Sequence, residues 1–187
     1  MALNDESRKH LLTRARAAIA HAIGKEPERP GSDPTPDPQS LIPEDLRAGA
    51  FVTLRVHGQL RGCIGYPEPA LPLIETVERC AVSAAISDPR FPAVTVSEWS
   101  RIDVELSVLG PIEAVSDISE IEPGKHGLIA ELGHRRGLLL PQVATEWKWD
   151  AAEFASQTCM KAGLPKDAWQ KGAKLYRFEA EIFGDSC

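Results

Sequence analysis

The segment Leu60-Arg61-Gly62-Cys63-Ile64-Gly65 sets a thiol between two glycines and two residues after a guanidinium. A thiolate is the nucleophilic form of cysteine, and a neighbouring Arg61 would lower the thiol pKa or hold a carboxylate or phosphate of a ligand. Gly62 and Gly65 permit tight backbone conformations and close approach of another molecule, and successive exposed amides there would form an anion-binding nest. The same residue types also fit a buried strand cysteine whose glycines make room for a packed neighbour. A cysteine nucleophile works with an imidazole that need not be close in sequence. His126, in Gly124-Lys125-His126-Gly127, is the candidate base, and a turn histidine capping a strand end is the alternative.

Three further groups carry chemical potential. Asp88-Pro89-Arg90-Phe91-Pro92 presents a charged pair and an aromatic between two rigidifying prolines, and reads either as a binding loop or as a structural ion pair with a turn-forming Asp. Glu105 and Ser107 share the face of a strand opposite Leu106, lining a cleft or facing solvent, with solvent the default. Gln142 follows Leu140-Pro141 at a helix start, where anions bind or the end is simply capped. No close pair of His, Cys or carboxylate residues has metal-ligand spacing, although Cys63 and His126 could meet in three dimensions. There is no Gly-x-Gly-x-x-Gly and no Walker A motif.

Helical periodicity predicts a helix over 5–23, with Leu11, Ala15, Ala18 and Ala22 on one stripe and Gly24 as its cap. A second helix spans 71–86, with Ile74, Val77, Ala81 and Ala85 inward and Cys80 as a small core residue. Helices are also read over 141–148 and 150–162. Alternation predicts strands over 50–57, 60–66, 101–109, 112–115, 126–132, 137–140 and 174–183, the last with Tyr176, Phe178, Ala180 and Ile182 inward. Gly58-Gln59 is the expected turn of the first hairpin, and His134-Arg135-Arg136 a solvated turn. Short-linked strand pairs with helices between them give an α+β fold, a mostly antiparallel sheet with flanking helices. Residues 26–43 carry six prolines (27, 30, 34, 36, 38 and 43) and read as an extended surface arm within a single domain over 1–187.

The chain of 187 residues is long enough for one full core or two small lobes. No apolar run approaches the roughly 20 residues that span a bilayer. The polar, acidic start lacks a secretory signal, so the expected location is the cytoplasm, with reduced thiols and no disulfide framework. A net charge of -6 disfavours nucleic acid.

Taken in order, Phe51-Val-Thr-Leu, the Cys63 segment, Asp88-Pro-Arg-Phe, Glu105-Leu-Ser-Val-Leu, Gly124-Lys-His-Gly-Leu, Leu140-Pro-Gln-Val and Lys161-Ala-Gly-Leu resemble the AMME syndrome candidate protein family, similar in prokaryotes to protein A of the AmmeMemoRadiSam system. The resemblance runs from about residue 50 to the C-terminus, and more loosely from the first helix. It implies an α+β fold with a larger and a smaller lobe and a cleft between them. As partners it implies a Memo-like protein, related to extradiol dioxygenases, and a radical S-adenosylmethionine protein. It leaves the cofactor open. Candidate functional positions carry over onto Arg61, Gly62, Cys63, Gly65, Asp88, Arg90 and His126.

Two readings follow. In one, Cys63 is a reactive thiol acting on a small anionic or partner-held substrate, with His126 as base and Arg61 orienting the anion. In the other, the protein is a non-catalytic module whose Cys63 and Asp88–Phe91 loops form a partner interface. A monomer or small homo-oligomer fits both.

Overall fold

The computed structural model describes residues 3–25 and 42–185. Most of the proline-rich arm, residues 26–41, lies outside the described residues. The chain divides into two compact units, Met1–Val108 with Glu181–Cys187, and Leu109–Ala180. Every strand ladder described is antiparallel, as an α+β fold requires.

In the larger unit, helices α1 (Asp5–Ala22) and α2 (Leu73–Ile86) pack beside strands β1 (Ala50–Val56), β2 (Gln59–Tyr66) and β3 (Ile102–Leu109). Asn4 caps α1 through a 2.8 Å bond from the Ser7 amide, and Gly24 ends it at φ 77°. The buried stripe of α1 is Leu11, Ala15 and Ile19; Ala18 and Ala22 sit at its margin. β1 lies between β2 and β3, and β2 is paired on one side only among the described residues. Val52, Leu54, Val104 and Leu106 on one sheet face join Val77, Cys80 and Ala81 of α2 and Leu11 and Ile19 of α1 in a single core. Burial pushes the Cys80 thiol pKa up to about 11.

The β1–β2 turn falls on His57-Gly58, one residue earlier than expected. Both residues have positive φ, 52° and 77°, which a two-residue hairpin with strand-matched twist demands. The register then slips between Leu54 and Arg55, so Arg61 is an extra residue on β2. Such a bulge bends the strand and re-aims a side chain.

The smaller unit builds β4 (Glu113–Ala114), β5 (His126–Leu132), β6 (Arg135–Leu139), α3 (Pro141–Trp147), α4 (Ala151–Lys161) and the first part of β7 (Lys174–Gly184). β5 pairs with β6 and β7, and β4 with β7. Phe154, Ala155 and Cys159 of α4 meet Leu128, Ala130 and Leu175 in a second core. Arg135 and Arg136 open β6, so the turn there is Gly133-His134, with Gly133 at φ 62°. The inward face of β7 is not the uniform even-numbered one: Leu175, Phe178 and Phe183 are buried while Ile182 is exposed. The strand passes from one unit to the other after Ala180, and its ends answer to different cores, Leu175 to the second and Phe183 to the first.

Gly62 faces α2, and a Cβ there would lie 2.2 Å from the Ala84 carbonyl oxygen. Gly62→Ala is therefore expected to destabilise the protein by about 1–3 kcal/mol through overpacking against main chain, read as a lowered urea midpoint with an unchanged slope.

Candidate functional site

Cys63 lies on the free side of an edge strand, where main-chain groups are normally open to solvent or to another chain. Here they are taken. The Cys63 amide donates to Asp88 Oδ2 at 2.9 Å, and the Cys63 carbonyl accepts from Arg90 Nη2 at 3.2 Å. Asp88 and Arg90 are joined in turn: Arg90 Nη2 reaches Asp88 Oδ2 at 2.7 Å, and the Arg90 amide and Nε reach Oδ1 at 3.1 and 2.9 Å. The Asp88 side chain is 2% exposed and that of Arg90 53%. The Arg90 guanidinium holds the Asp88 carboxyl well below the usual carboxylate range, reinforced by the Cys63 amide. The expected anion-binding nest at the Cys63 amide is thus filled by the protein's own carboxylate.

Arg61, re-aimed by the bulge, laces the loop from the opposite direction. Its Nε and Nη2 form a two-pronged pair with Glu98 at 3.1 and 3.3 Å, and Nη1 donates to the Pro92 carbonyl at 2.9 Å. Arg61 holds the Glu98 carboxyl down at about 2, helped by the Thr95 amide. Gly65 leaves room for the Phe51 ring, to which a Cβ would approach within 2.2 Å. The space at both glycines is filled from within the fold.

Register puts Cys63, Thr53 and Glu105 in one row across β2, β1 and β3, and Gly65, Phe51 and Ser107 in the next. The Thr53 hydroxyl donates to Cys63 Sγ at 3.4 Å. This face is not the solvated one expected for Glu105 and Ser107. Thr53 and Ser107 are buried, Glu105 and Cys63 half-buried, and Ser107 Oγ has no hydrogen-bond partner among the described residues. Phe91 is half-buried with the Arg90 guanidinium 5.5 Å over its ring.

His126 and Gln142 belong to the smaller unit. His126 is buried, its Nδ1 accepts from the Glu122 amide at 3.0 Å, and its own amide donates to the Glu122 carbonyl. The lone pair that a general base would use is therefore closing the turn before β5. Gln142 follows Pro141 in a seven-residue helix, with Oε1 buried and without a partner among the described residues. Among the described residues no cluster of His, Cys, Asp and Glu is placed to hold a metal, and no helix is long and apolar enough to cross a membrane.

The Cys63 segment, the Asp88–Phe91 loop and the Glu105 strand thus fall into one unit; the first two meet at one strand edge, and the Glu105 strand lies beyond β1. The AMMECR1 family model matches residues 12–183. The chain belongs to the AMMECR1 family. A protein of Methanothermobacter thermautotrophicus is 54% identical over 155 residues, covering 76% of this chain and 81% of the relative. Protein PF1979 of Pyrococcus furiosus is 45% identical over 97% of this chain and 89% of its own. The crystal structure of the uncharacterised protein PH0010 from Pyrococcus horikoshii matches this AMMECR1 chain with a TM-score of 0.84 at 43% identity, covering 97% of this chain and 93% of that one.

The groups that sequence reasoning passed over are Thr53, on the sulfur, and Glu98, on Arg61. Thr53 was readable as the residue facing away from Val52 and Leu54. Glu98 lies 37 residues from Arg61 with no spacing signal.

The charge chemistry sets a pH response. The folded-state pKa values of Asp88 and Glu98 are depressed, so their stabilisation is complete above the ordinary carboxylate pKa of about 4. It is lost as pH falls through the folded values. Asp88→Asn is expected to lower stability by about 2–3 kcal/mol at pH 7 and to flatten the fall between about pH 5 and 2, measured by denaturant unfolding across that range.

Proposed function

We propose that this AMMECR1-family protein is a partner-binding module whose contact face is the Cys63 edge together with the Asp88–Phe91 loop, with a Memo-like or radical S-adenosylmethionine protein as the partner. The observation that carries the reading is the double main-chain bond from Asp88 and Arg90 to Cys63, which makes strand edge and loop one preformed surface. Its cations are already neutralised, Arg61 by Glu98 and Arg90 by Asp88, so neither is spare to activate a thiol or to grip an anion. Half-exposed Arg90 stacked on Phe91 presents two residue types enriched at protein interfaces, and large exposed apolar side chains stand on the same strand at Leu60 and Tyr66 and beyond the loop at Val96. A face ordered before contact loses little entropy on binding.

Phe91→Ala is expected to weaken capture of the purified Memo-like or radical S-adenosylmethionine partner about tenfold or more, while leaving the melting temperature unchanged. Cys63→Ser is expected to bind as wild type. Calorimetric titration of the two proteins checks both; loss of binding in Cys63→Ser with Phe91→Ala unaffected would sink the proposal.

A second reading, a reactive thiol at Cys63, is favoured by the Thr53 hydroxyl, which donates to the half-buried sulfur. Its test is the iodoacetamide rate of Cys63 in a Cys187→Ser background. The binding-module reading expects a rate no faster than glutathione at pH 7, insensitive to Thr53→Val. A faster reaction that Thr53→Val slows would establish the thiol reading instead.

A further inference from the structure

One carboxylate on the sheet face that carries Cys63 has no counter-charge. That face is the one opposite the Val52, Leu54, Val104 and Leu106 core, and the register sets Cys63, Thr53 and Glu105 side by side on it. Asp88 is paired with Arg90, and Glu98 with Arg61. Glu105 is half-buried and has no ion pair among the described residues. Arg55, on the same face of β1, lies across from Asp103 in the neighbouring row, and its Nη1 donates to the Gly58 carbonyl at 3.4 Å. That bond holds the guanidinium at the hairpin turn.

Two neutral acceptors flank the Glu105 carboxylate. Thr53 stands directly across the ladder, with about 5 Å between β-carbons. Ser107 is two residues along the same strand, about 7 Å away on the same face. The Thr53 hydroxyl gives its one hydrogen to Cys63 Sγ, which leaves its oxygen lone pairs as acceptors. Ser107 is 1% exposed, and its Oγ has no hydrogen-bond partner among the described residues. A buried hydroxyl left in that state is costly, so a donor reaching this face gains a bond that the fold itself does not make.

Charge and acceptor number decide what fits. A half-buried carboxylate outside any ion pair attracts a cation and repels an anion. An ammonium carries three N–H donors and no acceptor, which matches one carboxylate and two hydroxyl oxygens. A guanidinium presents its donors as a flat fork suited to the carboxylate alone and leaves the hydroxyls on either side unmatched. For a divalent metal, no group of three His, Cys, Asp or Glu among the described residues is placed to hold one.

We infer that this face binds a primary ammonium group on a slim alkyl stem, the chemistry of a lysine side chain or a small alkylamine. Glu105 pairs with the charge, and Thr53 and Ser107 accept the remaining hydrogens. Glu105, the most exposed of the three, is where the cation enters. The inference does not rest on the partner-binding reading, because no bond of Asp88 or Arg90 enters it.

The test is a titration of the isotope-labelled full chain with Nα-acetyl-lysinamide and, separately, with n-butylamine, followed by amide chemical shifts. Saturable shifts are expected at residues 53, 63, 105 and 107, with a dissociation constant on the order of 10 mM for so small a probe. Glu105→Gln is expected to weaken binding about tenfold. Ser107→Ala should weaken it about threefold without lowering the melting temperature, since no bond of the free protein is lost. Nα-acetyl-norleucinamide, which has the stem without the charge, should give no saturable shifts, and Nα-acetyl-argininamide should bind more weakly than the lysine probe. Tighter binding of the lysine probe than of butylamine assigns the ammonium to a peptide and the reverse to a free amine; either upholds the site. Equal affinity in Glu105→Gln, tighter binding of the arginine probe, non-saturating shifts, or shifts confined to other surface carboxylates would overturn it. The titration holds no partner protein, so its failure leaves the Phe91→Ala outcome standing, and failure of the partner-binding reading leaves this site standing.

Discussion

An edge strand carries amides and carbonyls that its sheet cannot satisfy, and in this protein the Asp88–Arg90 pair satisfies them at Cys63. The carboxylate takes the amide and the guanidinium takes the carbonyl, so an ion pair stands where a further strand would have paired. Bonds to charged partners contribute more than neutral ones, about 1.5–3 kcal/mol each. The buried carboxylate is tolerated because its oxygens receive two main-chain amides and two guanidinium bonds. Arg61 completes the lacing in reverse: the strand's own side chain holds Glu98 and the Pro92 carbonyl of the loop. Strand and loop each supply what the other lacks.

That exchange explains the residue types in the Cys63 segment without requiring chemistry of them. Gly62 is small because the Ala84 carbonyl occupies the place of its side chain, and Gly65 because the Phe51 ring does. Arg61 is a cation because Glu98 faces it. Only the sulfur has a contact that is not architectural, the Thr53 hydroxyl, and that contact lies in a polar row leading to Glu105. Two cationic side chains engaged in the fold and an imidazole engaged in its own turn leave recognition as the better-supported use of this face.

Much of the architecture was readable from period alone. The Leu11, Ala15 and Ile19 spacing and the Val52, Leu54 alternation each point at one core, and one core shaped each segment. β7 was misread where two cores share one strand, because a single alternation cannot describe both ends. The hairpin turn was placed one residue late because His57 takes a left-handed conformation that its type does not advertise. The site was half legible. Cysteine, arginine, aspartate and glycine were visible as unusual neighbours, but whether a glycine makes room for a ligand or for the protein itself depends on residues distant in sequence, Ala84 for Gly62 and Phe51 for Gly65. The bonds from Asp88 to Cys63 and from Glu98 to Arg61 span 25 and 37 positions, and no local pattern encodes them.

The claim that the Asp88 carboxylate secures the strand edge is tested most directly by hydrogen exchange at the Cys63 amide. That amide is predicted to be protected to the level of the β1 amides in the wild type, and to exchange like an open edge position in Asp88→Asn while β1 stays protected. Fast exchange at Cys63 in the wild type, or protection that survives Asp88→Asn, would contradict it.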